Sequence, residues 1–354
     1  MFNRNTSLLI SLLLICIFSR VLSSIYYIED IDSLRFALSI KEFDIVKLQP
    51  HFPGYPVFCS LVKAIHFIIG NMGISFSIVG GISIFFIIYY LLRMFSTSLK
   101  SYEGQYIALI IFLNPLFWLM SNRYMPDLMG LAISLGAAYY LIYANRQGRH
   151  LEKGFFLSGL LAGIRLSYLP LLFFSLLKIF FSSNNKKQTL ALYFLIGVLI
   201  WLIPMVSVTG LGDLIIMAEK QTSGHFMEFG GTIFTEQSLL DRFVFLLRSV
   251  WADGFGGYWT SRGFTSILLS IFLVLQFITS IKDIRVKWKH ENKIKPLILC
   301  VAIYFICFAL ASLPGTVLNL TIGPTIVKEI KNKLIFFIII IFILLSLYLG
   351  LIYN

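Results

Sequence analysis

The stretch LLISLLLICIFSRVLSSIYYI at residues 8–28 decides the class of fold. A transmembrane helix needs about 20 mainly apolar residues, and this run supplies them after a short head that carries Arg4. The segment 22–24 would also suit the cleavage site of a signal peptide. Because the apolar run continues to Ile28, we favour an uncleaved membrane anchor. Either interpretation predicts that the residues that follow lie outside the cytoplasm.

The rest of the chain has the same apolar character. Of its 354 residues, 58% are hydrophobic and only 13% are charged, and the mean hydropathy is +0.85. Soluble domains contain about 25% charged residues, so this chain cannot cover a water-facing surface with polar groups. A soluble enzyme and a disordered protein are therefore excluded. We predict an all-α polytopic membrane protein with about ten transmembrane helices.

Apolar segments separated by polar ones place the further spans along the chain. Arg165 and Pro170 interrupt the segment at 154–181, which predicts a hairpin of two short, broken helices with Arg165 near its tip. The predicted spans after the first lie near 55–70, 74–92, 104–121, 126–144, 154–181, 189–208, 264–281, 296–313 and 334–353.

The charges predict the orientation of the spans. Lys and Arg number 29 against 17 Asp and Glu, a net charge of +12, and such an excess marks cytoplasmic loops. The basic loops near 93–100, 146–153, 178–187 and 282–295 are therefore predicted to be cytoplasmic. The loops at 29–54, 122–127 and 209–260 are then outside.

The sequence gives no sign of nucleic-acid binding, of a disulfide framework or of a cysteine metal site. No basic run is interleaved with aromatic residues that could stack on bases, so we expect no nucleic acid partner. The four cysteines lie in apolar segments and form no CxxC pair, which indicates neither a disulfide framework nor a metal knuckle.

The loop at 29–54 carries the residues most suited to chemistry. An acidic group follows the first span directly, where membrane meets water, and consists of Glu29, Asp30 and Asp32. A carboxylate at this depth stays hydrated and ionised near neutral pH, so it can accept a proton. Asp30 and Asp32 are two residues apart and do not share a helix face. We expect only one of them to point at a reacting group.

Local patterns predict that this loop is held at both ends. Ile31, Leu34 and Leu38 recur at helical spacing, which predicts a short amphipathic helix in the membrane interface. The Pro-Gly-Tyr-Pro run at 53–56 forces a turn and begins the next helix, because proline suits the first helical turn.

Short motifs in the first 210 residues resemble a known family. They read DSLRFA at 32–37, HFPGYP at 51–56, NPLFW at 114–118, RYMPD at 123–127 and GLLAGIRLS at 159–167. In order and spacing they resemble the GT-C superfamily of membrane glycosyltransferases, in particular protein O-mannosyltransferase-like and RgtA-D-like enzymes. The second motif departs from the commoner His-Pro-Pro-Gly, and the last third of the chain lacks a recognisable Arg-Tyr element.

The resemblance implies a function and two principal residues. The implied reaction transfers a sugar from a polyprenyl-phosphate carrier, with inversion, to a lipid, glycan or protein acceptor. Asp32 would be the base that deprotonates the acceptor hydroxyl, and Arg165 would stabilise the leaving phosphate. An arginine inside an apolar segment costs about 2.5–3.5 kcal/mol, so it should have a partner. A structural ion pair with Asp127, or snorkelling to the interface, stays open as its role.

Six further residues are candidates for substrate binding or for supporting the site. Arg123 and Asp127 are four residues apart, so they can pair on one helix or line a cavity rim. The loop that holds His225 and Glu228 contains several glycines and can act as a lid, or serve only as an interfacial loop. The substrate-binding candidates besides Arg165 are Asp30, His51, Arg123, Asp127, His225 and Glu228.

No obligatory cofactor is predicted. Asp30 and Asp32 could together bind a divalent metal through their carboxylate oxygens. Arginine alone can stabilise a single phosphate leaving group, however, so we predict that no metal is required and name no metal ligand.

The domain organisation and location follow from these inferences. We predict a GT-C-like catalytic transmembrane module at 1–210, an outer interfacial loop at 211–260 and C-terminal transmembrane helices at 261–354. The protein is expected to be a multi-pass protein of a bacterial plasma membrane with its active site on the outer face. A multi-span transporter or lipid flippase is the alternative, but transporters place ionisable residues near the midplane in two matching halves. Here the acids gather in one outer loop.

Overall fold

The structure is a computed structural model that describes residues 4–143, 150–183 and 186–224, with scattered positions between 240 and 275. Most of these residues are helical, and the only bridge of β type among them joins Asp44 and Gln49. The chain divides into two compact units at 1–222 and 223–354. Three described segments are long and apolar enough to cross a membrane, namely Met72–Met94, Leu151–Ser182 and Lys187–Thr209. The predicted all-α membrane class is confirmed.

Helix α1 (Arg4–Leu22) ends earlier than the sequence predicts. The predicted span continued to residue 28, but Ser23 and Ser24 turn their hydroxyls onto carbonyl groups one turn back in the helix, at distances of 3.0 and 2.9 Å. Such bonds offer the backbone an alternative to the helical ladder. The chain therefore leaves the helix before the acidic group begins.

A buried arginine fastens α1 to the rest of the bundle. Arg20 is fully buried and donates to the Ser121 hydroxyl at 3.1 Å and to the Phe112 carbonyl oxygen at 2.9 Å. Its guanidinium also lies over the Trp118 ring, 3.8 Å from the centroid. These bonds and the aromatic face stabilise a buried cation that would otherwise be costly.

Helix α2 (Ile31–Lys41) confirms the short helix predicted in the first loop. Asp30 caps it, because its carboxylate accepts a hydrogen bond of 2.7 Å from the Ser33 N–H. Ile31 and Leu34, the apolar residues of the predicted pattern, are exposed, whereas Phe36 lies in the core with only 1% of its surface exposed. The helix therefore has two apolar faces. The pattern of Ile31 and Leu34 identified the exposed face, and not the buried face that includes Phe36.

Helix α4 (Met72–Met94) confirms the span predicted near 74–92, and α3 (Pro56–Ile69) occupies the segment predicted as a span near 55–70. Gly70 ends α3 with a φ of +70°, a left-handed conformation that glycine adopts without steric cost. Helix α3 has 14 residues, fewer than the roughly 20 needed to cross a bilayer. The two helices together thus supply one full-length span.

The next apolar segments form α5, α6 and α7. The span predicted at 104–121 is interrupted, because Pro115 lacks a backbone donor and the Asn114 side chain caps a new helix through the Phe117 N–H at 3.1 Å. The segment predicted as a span at 126–144 is helical but shorter than the three segments long enough to cross a membrane. The observed bounds are α5 Tyr102–Leu113, α6 Pro115–Asn122 and α7 Asp127–Ala138, continued by a π-helical turn at Tyr139–Tyr143.

The predicted hairpin near 154–181 is confirmed. Helix α8 (Leu151–Arg165) leads through a 3-10 helix (Leu166–Leu172) into α9 (Phe173–Ser182). The rings of Phe155 and Phe180 have centroids only 6.5 Å apart, so α9 returns along α8. Arg165 therefore lies at the turn of the hairpin.

Helix α10 (Lys187–Thr209) packs tightly on α8 through small residues and confirms the span predicted at 189–208. A Cβ atom at Gly163 would lie 2.5 Å from the Trp201 ring, and the Trp201 indole N–H donates to the Gly159 carbonyl oxygen at 3.0 Å. Glycine thus permits the close approach of the two helices.

The segment predicted as an outer interfacial loop at 211–260 begins with a helix. Helix α11 (Leu211–Ser223) follows α10 directly, and Leu214 and Met217 bury its inner side. The spans predicted at 296–313 and 334–353, and most of that at 264–281, lie outside the described residues.

One aromatic core joins the first loop to the hairpin. Phe36 of α2 contacts Phe58 of α3, with ring centroids 5.7 Å apart, and Phe76 of α4 stacks on Tyr124 at 4.3 Å. Ile164 of α8 belongs to the same buried cluster. Helices α2 and α8, which carry Asp32 and Arg165, therefore pack around the same buried cluster.

Candidate active site

Asp32 lies in the first turn of α2 with 41% of its side chain exposed. Its carboxylate oxygen accepts a hydrogen bond of 3.0 Å from the Arg35 guanidinium, one helical turn further along. The same oxygen is 3.6 Å from Nδ1 of His51. Asp32 is thus held by Arg35, lies beside His51 and still reaches the surface.

His51 connects Asp32 to the interior. Its side chain is only 12% exposed, and its Nε2 is 2.9 Å from the hydroxyl of Tyr55. Nδ1, the nitrogen that faces Asp32, has no hydrogen-bond partner within the described residues.

Tyr55 is the centre of this arrangement. It has a φ of +47°, a left-handed conformation that residues other than glycine seldom adopt, and it packs against Phe36 with ring centroids 5.0 Å apart. Burial raises the pKa of Tyr55, so the hydroxyl keeps its proton at neutral pH. We therefore assign Tyr55 as the donor to His51, which leaves the imidazole proton on Nδ1, toward Asp32.

Arg165 and Asp127 complete the arrangement from the other side. Nη1 of Arg165 donates to the Tyr55 hydroxyl oxygen at 3.3 Å, and Nη2 is 3.1 Å from the Asp127 carboxylate. Asp127 is 6% exposed and begins α7, while Arg165 ends α8. The ion pair that the sequence left open for Arg165 is present. We call the six residues the relay network: Asp32, Arg35, His51, Tyr55, Arg165 and Asp127.

The relay network keeps His51 uncharged. Burial, helped by the charges of Arg35 and Arg165 and opposed by that of Asp32, lowers the pKa of His51 to about 4. At neutral pH the imidazole is therefore a neutral donor and acceptor between the carboxylate and the phenol.

Glu29, Asp30 and Arg123 form a separate cluster, which we call the clamp. Nε of Arg123 is 2.6 Å from the Glu29 carboxylate, and Nη2 contacts the Asp30 carboxylate. Burial alone would raise the pKa of Asp30, but the hydrogen bonds to Ser33 and the Arg123 charge outweigh it and lower the pKa. The clamp ties the start of α2 to the end of α6.

The pairing of Arg123 with Asp127 is wrong. Arg123 ends α6 and Asp127 begins α7, so a turn separates them and they do not share a helix. Each instead pairs with a residue remote in sequence, Arg123 with Glu29 and Asp127 with Arg165.

The structure brings together four residues singled out from the sequence and adds two. Asp32, His51, Asp127 and Arg165 meet in the relay network, whereas His225 and Glu228 lie outside the described residues. Arg35 and Tyr55 were missed as site residues. The spacing of Arg35, three residues after Asp32, was a signal for it, but no local pattern identifies Tyr55 as the link to Arg165.

The described part of the chain contains no set of side chains that could form a metal centre. No group of three His, Cys, Asp or Glu side chains there could hold an ion. Whether the protein needs a metal stays a prediction.

The long apolar helices define an integral membrane protein. The structure is similar to the crystal structure of ArnT from Cupriavidus metallidurans bound to undecaprenyl phosphate, with a TM-score of 0.57 and 11% sequence identity. The match covers 91% of this chain and 59% of that chain, so this chain spans about three fifths of the ArnT length. No protein-family model matches the sequence, and no curated protein sequence matches it significantly.

Proposed function

We propose that this chain is a membrane glycosyltransferase that moves a sugar from a polyprenyl-phosphate carrier to an acceptor hydroxyl at the outer face, with inversion. The observation that carries the proposal is the relay network, which links a surface carboxylate, Asp32, to a buried ion pair at the tip of the hairpin. The fold supports the same conclusion, because the ArnT structure to which it is similar contains undecaprenyl phosphate.

Asp32 suits the role of general base better than its neighbours. Glu29 and Asp30 both engage Arg123, and Asp127 is buried against Arg165. Asp32 is the one of these acids that both belongs to the relay network and is not buried, with 41% of its side chain exposed. An accessible carboxylate can approach an acceptor hydroxyl and take its proton.

The reaction follows as one displacement. Asp32 takes the proton of the acceptor hydroxyl, the oxygen forms a bond to the anomeric carbon, and the bond from that carbon to the carrier phosphate oxygen breaks with its electron pair. The carrier phosphate gains one negative charge. A single attack from the side opposite the phosphate inverts the anomeric configuration.

Two arginines are placed to stabilise the leaving phosphate. Arg35 and Arg165 both act electrostatically on His51, so they approach the same part of the site, and neither is fully buried. A guanidinium carries five N–H donors, so an arginine that is paired with a carboxylate can still bind phosphate oxygens. Positive charge at this position lowers the barrier because the phosphate becomes more negative as the bond breaks.

The test compares Asp32→Asn with Asp44→Asn in membranes that are supplied with a labelled polyprenyl-phosphate sugar. Asp44 is a matched control in the same loop, where it pairs with Lys47 at 3.4 Å outside the relay network. Loss of a general base typically lowers turnover by about 10²- to 10⁴-fold, and we expect this for Asp32→Asn only. Transfer at the wild-type rate by Asp32→Asn would exclude Asp32 as the base.

The same membranes separate this proposal from a transporter or flippase. A transferase forms a labelled glycosylated product and releases the carrier phosphate, whereas a flippase moves the carrier between leaflets and leaves the sugar on it. We expect chelation of divalent cations to leave product formation unchanged. Loss of activity on chelation, restored by added metal, would contradict the metal-free mechanism.

A further inference from the structure

A cluster of four tyrosines lies at the end of the helices remote from the relay network. We call it the tyrosine cluster: Tyr89 and Tyr90 of α4, with Tyr139 and Tyr140 of the π-helical turn. Ring centroids are 5.3 Å apart for Tyr89 and Tyr90, 6.1 Å for Tyr90 and Tyr139, and 5.1 Å for Tyr139 and Tyr140. Gly136 makes room for this packing, because a Cβ atom there would lie 2.8 Å from the Tyr90 ring.

Two exposed cations lie over the rings of the cluster. The Arg93 guanidinium is 5.9 Å from the Tyr89 centroid and 5.7 Å from that of Tyr139, and the Lys153 ammonium is 5.6 Å from that of Tyr140. The His150 ring contacts Tyr140 as well, at 6.3 Å. Within the described residues, neither Arg93 nor Lys153 forms an ion pair with an acid. The nearby Glu152 pairs instead with Lys186 at 3.6 Å.

The hydroxyl groups of the cluster complete a set of anion-binding groups. None of the four tyrosine hydroxyls forms a hydrogen bond with another described residue. Hydroxyl donors beside two cations are the chemistry that recognises a phosphate. The cluster is also built on a π-helical turn, a rare conformation that occurs frequently at functional sites.

The position of the cluster indicates where such a phosphate would come from. Helices α7 and α8 run in opposite directions, so Asp127 and Arg165 mark one end while Tyr140 and Lys153 mark the other. The basic residues at this second end predict that it faces the cytoplasm, and tyrosines are enriched where membrane meets water. Phe86, which stacks near Tyr90 at 6.1 Å and is 37% exposed, continues the surface toward the apolar layer.

We propose that the tyrosine cluster, with Arg93 and Lys153, binds the phosphate headgroup of an anionic glycerophospholipid in the inner leaflet. The cations attract the charge, the tyrosine hydroxyls donate to the phosphate oxygens, and the face around Phe86 contacts an acyl chain. Basic pockets between helices on the cytoplasmic side are suited to such headgroups. The proposal does not depend on the activity at Asp32.

The experiment measures lipid retention by the purified full chain, using native mass spectrometry after exchange into vesicles of phosphatidylglycerol and phosphatidylcholine. The test variant is Arg93→Gln/Lys153→Gln. The control is Lys41→Gln/Lys100→Gln, which removes the same charge from two exposed lysines outside the cluster. A basic residue near an anionic surface favours binding by about fivefold, so we expect roughly a 30-fold loss of phosphatidylglycerol preference in the test variant.

Two further arms identify the ligand. Tyr139→Phe/Tyr140→Phe keeps the rings but removes two donors, and we expect about a tenfold weaker retention of phosphatidylglycerol. Inorganic phosphate at millimolar concentration should not displace the lipid, because it lacks the acyl chains. Equal retention by the test and control variants would overturn the proposed site, and displacement by inorganic phosphate would overturn the lipid as its ligand.

Discussion

Glu29 and Asp30 lie within three residues of Asp32, yet their side chains bind different partners from those of Asp32. The first two pair with Arg123 and form the clamp, in which one guanidinium engages both carboxylates. Asp32 turns instead toward Arg35 and His51, and its side chain is about as exposed as that of Asp30, 41% against 38%. Residues two apart on a helix face different directions, so the first turn of α2 separates the acids. The clamp is thus suited to fixing the start of α2 against the end of α6, and the relay network is suited to proton transfer at Asp32.

After Asp32→Asn, the largest effect is expected for Arg165→Met. Removal of one group that stabilises transition-state charge lowers turnover by about 10²- to 10³-fold. The substitution also leaves the buried Asp127 carboxylate without its cation, which costs about 3–5 kcal/mol of unfolding free energy. Turnover and denaturant unfolding of the purified protein measure the two effects.

A second substitution separates those two effects. Arg165→Met/Asp127→Asn removes the buried charge together with its partner, so we expect the unfolding free energy to return close to that of the wild type. Turnover should stay low. Recovery of turnover along with stability would show that Arg165 is only a structural partner of Asp127.

The next effect concerns Gly130, which packs closely against Arg165. A Cβ atom at Gly130 would lie 2.7 Å from the Cβ of Arg165 and 3.2 Å from the Tyr168 ring. Overpacking of this kind costs about 1–3 kcal/mol, and we expect Gly130→Ala to lose this much unfolding free energy. Because displacement of a catalytic group by about 1 Å can cost 10²-fold, turnover should fall by roughly ten- to 100-fold.

Gly212→Ala is the matched control for Gly130→Ala. Gly212 lies in α11, and a Cβ atom there would meet nothing within 4 Å. Alanine in a helix is favoured over glycine by about 0.5–1 kcal/mol, so this variant should be as stable as the wild type or slightly more so. If both alanine variants behave alike in turnover, the close approach at Gly130 does not position Arg165.

A smaller effect is expected in the clamp. Arg123→Gln breaks a partly exposed ion cluster, which is worth about 1 kcal/mol, and turnover per folded molecule should stay near that of the wild type. The sequence had placed Asp30 and Arg123 at the substrate. A loss of turnover as large as that of Arg165→Met, without a matching loss of stability, would restore that assignment.

The last prediction concerns the pH dependence of stability and not turnover. Folded His51 binds a proton only near pH 4, whereas an unfolded histidine binds one near about pH 6.5. The unfolded state therefore takes up more protons between these values, and the contribution of His51 is complete above about pH 6.5 and is lost as the pH falls toward 4. Thermal unfolding of His51→Gln should show a flatter profile over this window. An unchanged slope would contradict the buried neutral imidazole.

Much of the fold was accessible from the sequence, because hydropathy and charge act over whole segments. The helices near 55–70, 74–92 and 189–208 and the hairpin around Arg165 all follow from apolar runs and their interruptions. The errors occur where single side chains decide. The hydroxyls of Ser23 and Ser24 end α1 early, and the helix at Leu211–Ser223 carries enough polar residues to resemble a loop.

The site was accessible only in part. The order of the motifs indicated Asp32, His51, Asp127 and Arg165 as site residues, but it did not predict which side chains they contact. Tyr55 links residues from separate helices through hydrogen bonds across 110 positions of sequence, and such pairing depends on packing of the whole bundle. For the same reason the sequence suggested a local pair between Arg123 and Asp127, whereas tertiary contacts gave each a remote partner.

The ion pair at the tip of the hairpin also bears on how the chain is inserted during synthesis. An isolated arginine or aspartate costs about 2.5–3.5 kcal/mol when its helix enters lipid alone. Asp127 precedes Arg165 in the chain, and the two neutralise each other only when α7 and α8 lie side by side. We expect the insertion machinery to hold α7 until α8 has emerged and then to release both into the bilayer as one unit.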